Sequence, residues 1–405
     1  MTTAARFRAS FDGLAAIGRS PAGGWNRFAW TAEDAAARAW FEAEAAGIGG
    51  DVEQDANGNL WAWWWPEGST AAAAGAVVTG SHLDTVPEGG AYDGALGVVA
   101  GLLAVEDVLA GDRPLRRPVA VVAFADEEGA RFGLSCVGSR LATGAVDPDD
   151  ARRRTGTDGV RMADAMAAAG VDPSGLGPEP LRLGRIGAFV ELHVEQGRGL
   201  ADLDAPVAVA TEIWPHGRWR CTAVGEANHA GTTRLEDRRD PAMVLAAAVI
   251  AARARAAATG GLATVGRVAV TPNGTNVVPS RVDLWLDARA PDDPALDALV
   301  AGWEEDVRAA AGEHGVDVEV AVESRTAAVP FDPGLRARLT ALLGAPELPT
   351  GAGHDAGILA PAARTAMLFV RNPTGVSHSP AESATDDDCV AGVAALAAVL
   401  ADLAC

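Results

Sequence analysis

Val78-Thr79-Gly80-Ser81-His82-Leu83-Asp84-Thr85, followed by Gly89-Gly90-Ala91-Tyr92-Asp93-Gly94, is the stretch from which the fold is read. The apolar run 76–78, flanked by small residues, predicts a short buried strand that delivers His82 and Asp84 to its carboxyl end. Open α/β sheets place their ligands at that end. His82 offers an imidazole to a metal, and Asp84, two residues on and on the same side, can accept the other ring N–H. Asp93 adds a second oxygen donor. Taken alone, His-x-Asp suits a solvated loop equally well, so the rest of the chain has to decide.

Residues 95–109 are apolar throughout and read as a helix stopped by Gly111. Residues 119–124 form a second buried strand, which runs into Ala125-Asp126-Glu127-Glu128-Gly129. Phe189-Val190-Glu191-Leu192-His193 is a third strand, and 365–370 a fourth. Strand, acidic loop, helix, strand is the rhythm of a mostly parallel α/β sheet. Upstream, a capping box from Thr31 to Asp34 opens a helix to about residue 46. Residues 48–65 read as a strand pair turning at Asn57-Gly58-Asn59. The tryptophans at 61, 63, 64 and 65 within it read as packing or interface area.

The character changes near Val207. Strand 219–224, helix 241–258, strands 263–271 and 282–288, helix 295–313 and strand 316–322 spell β-α-β-β-α-β, a ferredoxin-like inserted domain. The expected fold class is therefore α/β, a mixed and mostly parallel sheet flanked by helices, built from residues 1–206 and 326–405. Residues 207–325 form the inserted α+β domain. Helix 333–343 and a final helix opened by Asp386, Asp387 and Asp388 complete the first domain.

At 405 residues the chain fits two domains better than one. Lys plus Arg is 33 and Asp plus Glu 54, a net charge of −21 that repels nucleic acid and anionic membrane. No basic-then-apolar leader and no strongly apolar run of eighteen residues is read, so a soluble, cytoplasmic protein is expected. Cys136, Cys221, Cys389 and Cys405 have no CxxC spacing and read as ordinary thiols.

The strand ends now decide. Each predicted central strand stops on a metal-type residue: His82, then Glu127 and Glu128, then His193, then His378 in Gly375-Val376-Ser377-His378-Ser379-Pro380. His82, Asp93, Glu128, His193 and His378 make a mixed nitrogen and oxygen set suited to two borderline divalent cations, zinc or manganese, with cobalt or nickel as further candidates. Five ligands around two ions require one shared carboxylate, and Asp93 is the natural choice. Glu127 is then free to act as general base and afterwards as acid to a leaving nitrogen. Adjacent glutamates also make solvated acidic turns, but these follow a buried strand.

These motifs resemble the dinuclear metallohydrolases of the M20 peptidase superfamily, in particular its amidase, hydantoinase and carbamoylase branch. The resemblance rests on Gly80-Ser81-His82-Leu83-Asp84-Thr85, Asp93-Gly94, Glu127-Glu128-Gly129-Ala130-Arg131-Phe132 and Glu191-Leu192-His193-Val194-Glu195-Gln196-Gly197. It continues through His229-Ala230-Gly231-Thr232-Thr233, Asn276-Val277-Val278-Pro279, Gly351-Ala352-Gly353-His354-Asp355-Ala356 and Ser377-His378-Ser379-Pro380-Ala381-Glu382. It implies an aminopeptidase-like catalytic domain, two divalent ions on the five ligands named, Glu127 as acid/base supported by Asp84, and a homodimer. It also implies that Gln196, His229, Asn276 and Arg289 hold the substrate carboxylate and polarise the scissile carbonyl, with the inserted domain acting as lid and dimerisation module. His229 is a candidate for action across the dimer. His354 resembles a residue behind the metals or facing substrate, and equally fits a structural histidine. His216 and His314 match no motif and read as surface residues.

Four positions depart from the family pattern. Arg234 and Leu235 stand where proline and methionine are common, Thr350 replaces serine, and Ser280 replaces glycine. None removes a ligand or the base, and Arg234 is a candidate second cation for the substrate. The implied activity is hydrolysis of the ureido C–N bond of an N-carbamoyl-L-amino acid, or of a related ureido acid such as allantoate. The alternatives are an M20-type dipeptidase or N-acyl-amino acid deacylase, and a non-catalytic metal-stabilised dimer, which would need no base beside the ligands.

Overall fold

The computed structural model describes residues 3–69 and 74–405. In chain order its strands begin with β1 (Asp51–Gln54), β2 (Leu60–Trp64), β3 (Ala76–His82), β4 (Val119–Phe124), β5 (Ile186–Val194) and β6 (Val207–Ile213). β7 (His216–Val224), β8 (Asn228–His229), β9 (Leu262–Thr271), β10 (Val277–Val278), β11 (Arg281–Arg289) and β12 (Asp317–Thr326) follow. β13 (Val329–Pro330), β14 (Glu347–Thr350) and β15 (Thr365–Val370) close the series.

The chain divides into two compact units, Met1–Thr211 with Pro330–Cys405, and Glu212–Val329. The boundaries lie a few residues beyond 206/207 and 325/326 because β6 remains in the larger sheet, where Val207, Ala208 and Val209 pair with Val370, Phe369 and Leu368.

The larger sheet runs β1-β2-β4-β3-β5-β15-β6-β13, with β14 beside β6. Its centre is parallel: β4 with β3, β3 with β5, and β5 with β15. β4 and β15 read as near-continuous apolar runs because both faces are covered. β4 and β15 are buried at every position, and β3 is buried throughout. Helices Ala95–Leu109 and Asp386–Ala404 join these strands in one apolar core. At Gly80 (φ +147°) an added Cβ would stand 1.9 Å from the Val122 carbonyl oxygen, so only glycine lets β3 and β4 approach so closely there.

Register turns this topology into a site. His82 pairs with Phe124, the last residue of β4, and His193 pairs with Phe369 near the end of β15. Parallel strands aligned in this way release their downstream loops at one edge of the sheet.

Along β2 and just past its end, the indoles of Trp61, Trp63 and Trp65 stack at 5.8 and 5.0 Å between successive centroids, and their N–H groups reach Asp55, Glu53 and Asp51. The tryptophan run is packing.

The second unit holds a four-stranded antiparallel sheet, β12-β7-β11-β9, the order of a ferredoxin-like fold. Helix Pro241–Thr259 and helix Asp293–Glu313 share its core, with Trp303 fully enclosed and its indole N–H on the Ala248 carbonyl. By length and composition alone, helix Pro241–Thr259 could cross a membrane. Strings of alanine produce that hydropathy, and its Val244, Ala248 and Ala252 side is buried in the unit's own core.

Candidate metal and catalytic site

His82 closes β3, and its Nδ1 lies 3.0 Å from the Asp84 main-chain carbonyl oxygen. His193, on β5, sets Nδ1 2.8 Å from its neighbour's carbonyl, Val194 O. A carbonyl only accepts, so both rings carry a proton on Nδ1, and Nε2 is the nitrogen left to bind a metal once any proton on it is displaced. Both Nε2 atoms face Asp93: Oδ1 is 3.4 Å from His82 Nε2 and 3.2 Å from His193 Nε2. The other oxygen, Oδ2, is 3.4 Å from His378 Nε2, which in turn lies 3.7 Å from Glu128 Oε2. Asp93 thus belongs to two donor groups at once, His82-Asp93-His193 and Asp93-Glu128-His378. Gly94, at φ +64°, is what allows this turn, since an added Cβ would sit 2.4 Å from the His82 ring.

The acidic loop after β4 is a bend in which Asp126 takes φ +53°. The two glutamates diverge within it. Glu128 turns toward His378, while Glu127 places Oε2 3.7 Å from His82 Nε2 and Oε1 3.1 Å from Cys136 Sγ. Asp84 holds the loop in place, its two carboxylate oxygens accepting the main-chain N–H groups of Glu127 (3.1 Å) and Glu128 (3.0 Å). The expected pairing of that carboxylate with the His82 ring is the longer contact, 3.6 Å, because the Asp84 carbonyl takes the Nδ1 proton instead.

The charge balance suits a cation. Burial alone would lift the Asp93 carboxyl, but the imidazoles of His193, His378 and His82 outweigh it and hold it well below the usual carboxylate range. Burial opposes charge on His193 too, yet Asp93 draws its pKa up to about 9, and Asp93 likewise raises His378 to about 9. Burial, with Asp93 and Glu127 nearby, pushes Glu128 well up. The cluster therefore retains protons that a divalent ion would displace. Glu128 Oε1 is buried without a hydrogen-bond partner, a further donor suited to an ion. Donor types, tautomers and unsatisfied oxygen all fit a metal site on these five residues.

Around it, Gln196 Nε2 donates to Asp93 Oδ2 at 2.9 Å, leaving the buried Oε1 without a partner. His354 is 4% exposed, its ring 4.5 Å from that of His193 and its Nε2 unpartnered. Burial, reinforced by His193, pushes its pKa well down, so the ring is neutral. Two supporting carboxylates escaped the sequence reading. Glu382 accepts the N–H groups of Tyr92 (2.8 Å) and Asp93 (3.1 Å), and Glu191, fully buried, takes Ser81 Oγ (2.7 Å) and the Ala356 N–H (2.9 Å). Both stood inside recognisable motifs, but their inward direction becomes visible only in the fold.

In the second unit, β8 pairs with β10, setting His229 opposite Val277, and Asn276 accepts the Ala230 N–H at 3.0 Å. His229 and Asn276 thus lie on adjoining, exposed segments. Arg289 ends β11, with Nε and an Nη 3.2 and 2.8 Å from Asp287 Oδ1. Arg234, the candidate second cation, is already bound to Asp237 at 2.9 Å and lies 3.3 Å from Glu236. His216 and His314 are both part-buried and belong to neither donor group.

Residues 78–402 match the profile of peptidase family M20/M25/M40. The chain is 37% identical over 389 residues to the N-carbamoyl-L-amino acid amidohydrolase of Geobacillus stearothermophilus, covering 95% of this chain and 94% of that protein. It is 34% identical over 398 residues to the allantoate amidohydrolase of Escherichia coli (strain K12), covering 96% of each. The crystal structure of a hydantoinase/carbamoylase family amidase from Burkholderia vietnamiensis superposes with a TM-score of 0.86 at 32% identity, covering 99% of this chain and 97% of that one. The chain belongs to family M20, in its hydantoinase/carbamoylase amidase branch. As expected for an M20 hydrolase, its metal-type side chains gather at the carboxyl edge of the parallel strands.

Proposed function

We propose that this M20 protein hydrolyses the ureido C–N bond of an N-carbamoyl-L-amino acid or of a related ureido acid such as allantoate, releasing ammonia and carbon dioxide. Near-complete alignment with an N-carbamoyl-L-amino acid amidohydrolase and an allantoate amidohydrolase supports the class of bond. The observation that carries the substrate reading is the buried, unpartnered Gln196 Oε1, an acceptor beside Asp93 that suits the N–H groups of a ureido terminus.

His82, Asp93 and His193 would hold one divalent ion, and Asp93, Glu128 and His378 a second, with Asp93 common to both. Such ions lower the pKa of water and polarise a carbonyl. The chain's own residues do the rest. Glu127 Oε2 takes the proton of the attacking water and passes it to the departing nitrogen. Asp84 keeps Glu127 in place through its main chain. Gln196 orients the ureido group, and the family resemblance would assign the Arg289 guanidinium to the substrate carboxylate and His229 and Asn276 to the carbonyl oxygen on which charge develops.

The working form is proposed to be a homodimer. Strand β9 is an open ten-residue edge, and Met243, Val249 and Ile250 on helix Pro241–Thr259 are 45%, 47% and 71% exposed. Open edges and contiguous apolar surface are what subunit contact covers. Light scattering should give twice the 41.2 kDa chain mass.

The test of function is one amino acid offered in N-carbamoyl, N-acetyl and dipeptide form, beside allantoate, with and without chelator. Chelator-sensitive turnover of the ureido compounds alone is expected. Preference for the acetyl or dipeptide form would establish the deacylase or dipeptidase reading instead.

A further inference from the structure

Nine residues after Glu127 the chain returns to it. Cys136 precedes helix Val137–Thr143 with φ +56° and ψ +40°, a left-handed state that side chains other than Gly, Asn and Asp rarely adopt. Its main-chain N–H donates to the Glu127 carbonyl at 2.6 Å, and its Sγ donates to Glu127 Oε1 at 3.1 Å. The residue is 3% exposed. Glycine would hold the same turn without strain. What the thiol adds is a donor.

The partition of the carboxylate gives that donor its meaning. Oε1 is tied to sulfur, while Oε2 faces the donor cluster, 3.7 Å from His82 Nε2. A glutamate has three torsions to fix, and a proton carrier must be held within a fraction of an ångström of its working position. Asp84 fixes only the main chain of Glu127, leaving the carboxylate to be held by something else. Burial, together with the nearby charges of Glu127 and Asp355, keeps the thiol protonated and therefore donating. Behind it, Ser139 Oγ binds Asp355 Oδ1 at 2.5 Å and anchors the start of the helix that carries Cys136.

We infer that Cys136 is a positioning residue for the general base: its S–H pins Glu127 Oε1 so that Oε2 alone is presented to the water and the leaving nitrogen. This rests on the reading of Glu127 as proton carrier, and it names a second group on which that role depends.

The test is kcat, KM, metal content and thermal unfolding of Cys136→Gly, Cys136→Ala and Cys136→Ser, each alone and in a Glu127→Gln background, with an N-carbamoyl amino acid as substrate. Cys136→Gly should lower kcat on the order of tenfold, with KM and bound metal unchanged. Its unfolding temperature should stay near the parent's because the left-handed strain is relieved. Cys136→Ser, which keeps a donor, should recover most of the lost kcat. In the Glu127→Gln background, removing the thiol should change nothing further. If Cys136→Gly does not fold, the Ala and Ser variants make the same comparison. Wild-type kcat without the thiol, equal losses for Ala and Ser, or the same fold-loss in the Glu127→Gln background would each overturn the inference. Normal turnover by Glu127→Gln itself removes the base, and the inference with it. A normal Cys136→Gly beside an inactive Glu127→Gln removes the inference alone.

Discussion

The Asp84 carboxylate accepts the main-chain N–H of Glu127 at 3.1 Å, and through this contact the loop after β4 is fixed against the loop after β3. Its second oxygen does the same for Glu128 at 3.0 Å. Asp84 therefore holds the main chain of Glu127 and Glu128 together. Asp84→Asn replaces one acceptor with a donor that faces an N–H. Outer-shell losses of this kind reduce metal affinity or activity by roughly 10- to 100-fold. Assays of kcat with metal titration should find both reduced; a variant that matches wild type would show that the loop is held by other contacts.

Glu127→Gln should separate binding from chemistry. The amide keeps the volume and, through its oxygen, the contact with Cys136, but it cannot carry a proton. Metal content should be unchanged while kcat falls by roughly 10²- to 10⁴-fold, the usual contribution of a general acid–base group.

Arg289→Ala should act on binding. A hydrogen bond to a charged group contributes about 1.5–3 kcal/mol, which corresponds to a rise in KM of roughly 10- to 150-fold for carboxylate substrates. For a ureido compound lacking the carboxylate, KM should not move. Steady-state kinetics with the two substrates decides this, and equal effects on both would assign Arg289 to its intraunit partner Asp287 instead.

Asp55 offers a test of stability away from the chemistry. It is 4% exposed and receives four donors: the N–H groups of Asn57 and Asn59 at 2.9 and 2.8 Å, Asn59 Nδ2 at 2.8 Å and the Trp61 indole N–H at 2.9 Å. Asp55→Asn turns an amide against two of them. Leaving buried groups unpaired costs about 1–3 kcal/mol each, so denaturant titration should find about 2–6 kcal/mol lost with metal content unaffected.

Much of this was legible before any coordinates. Uninterrupted apolar runs at β4 and β15 could only be strands covered on both faces, and their downstream loops carried the metal-type residues. Strands 219–224 and 282–288 were legible too, and in β7 and β11 the buried Trp219, Cys221, Leu284 and Leu286 alternate with less buried neighbours, as in a sheet covered on one side. Other features depend on contacts distant in sequence. Nothing local distinguishes Glu382 from a surface acid, yet it holds the N–H of Asp93 across 289 residues. Cys136 is one of four thiols with no spacing signal, and its role follows from a left-handed turn that returns the chain to Glu127. The change in composition near Val207 does not coincide with the domain boundary, because hydrogen bonding to β15 keeps β6 in the larger sheet.

Asp93 is shared by the His82–Asp93–His193 and Asp93–Glu128–His378 donor groups, so two cations are expected on either side of it. Anomalous diffraction from crystals grown with manganese or zinc tests this. Two peaks per chain should appear, roughly 3.5–4 Å apart as in other two-metal hydrolytic sites. One should lie against His82 and His193, the other against Glu128 and His378, each within bonding distance of Asp93. A single peak, or two peaks that do not share Asp93, would contradict it.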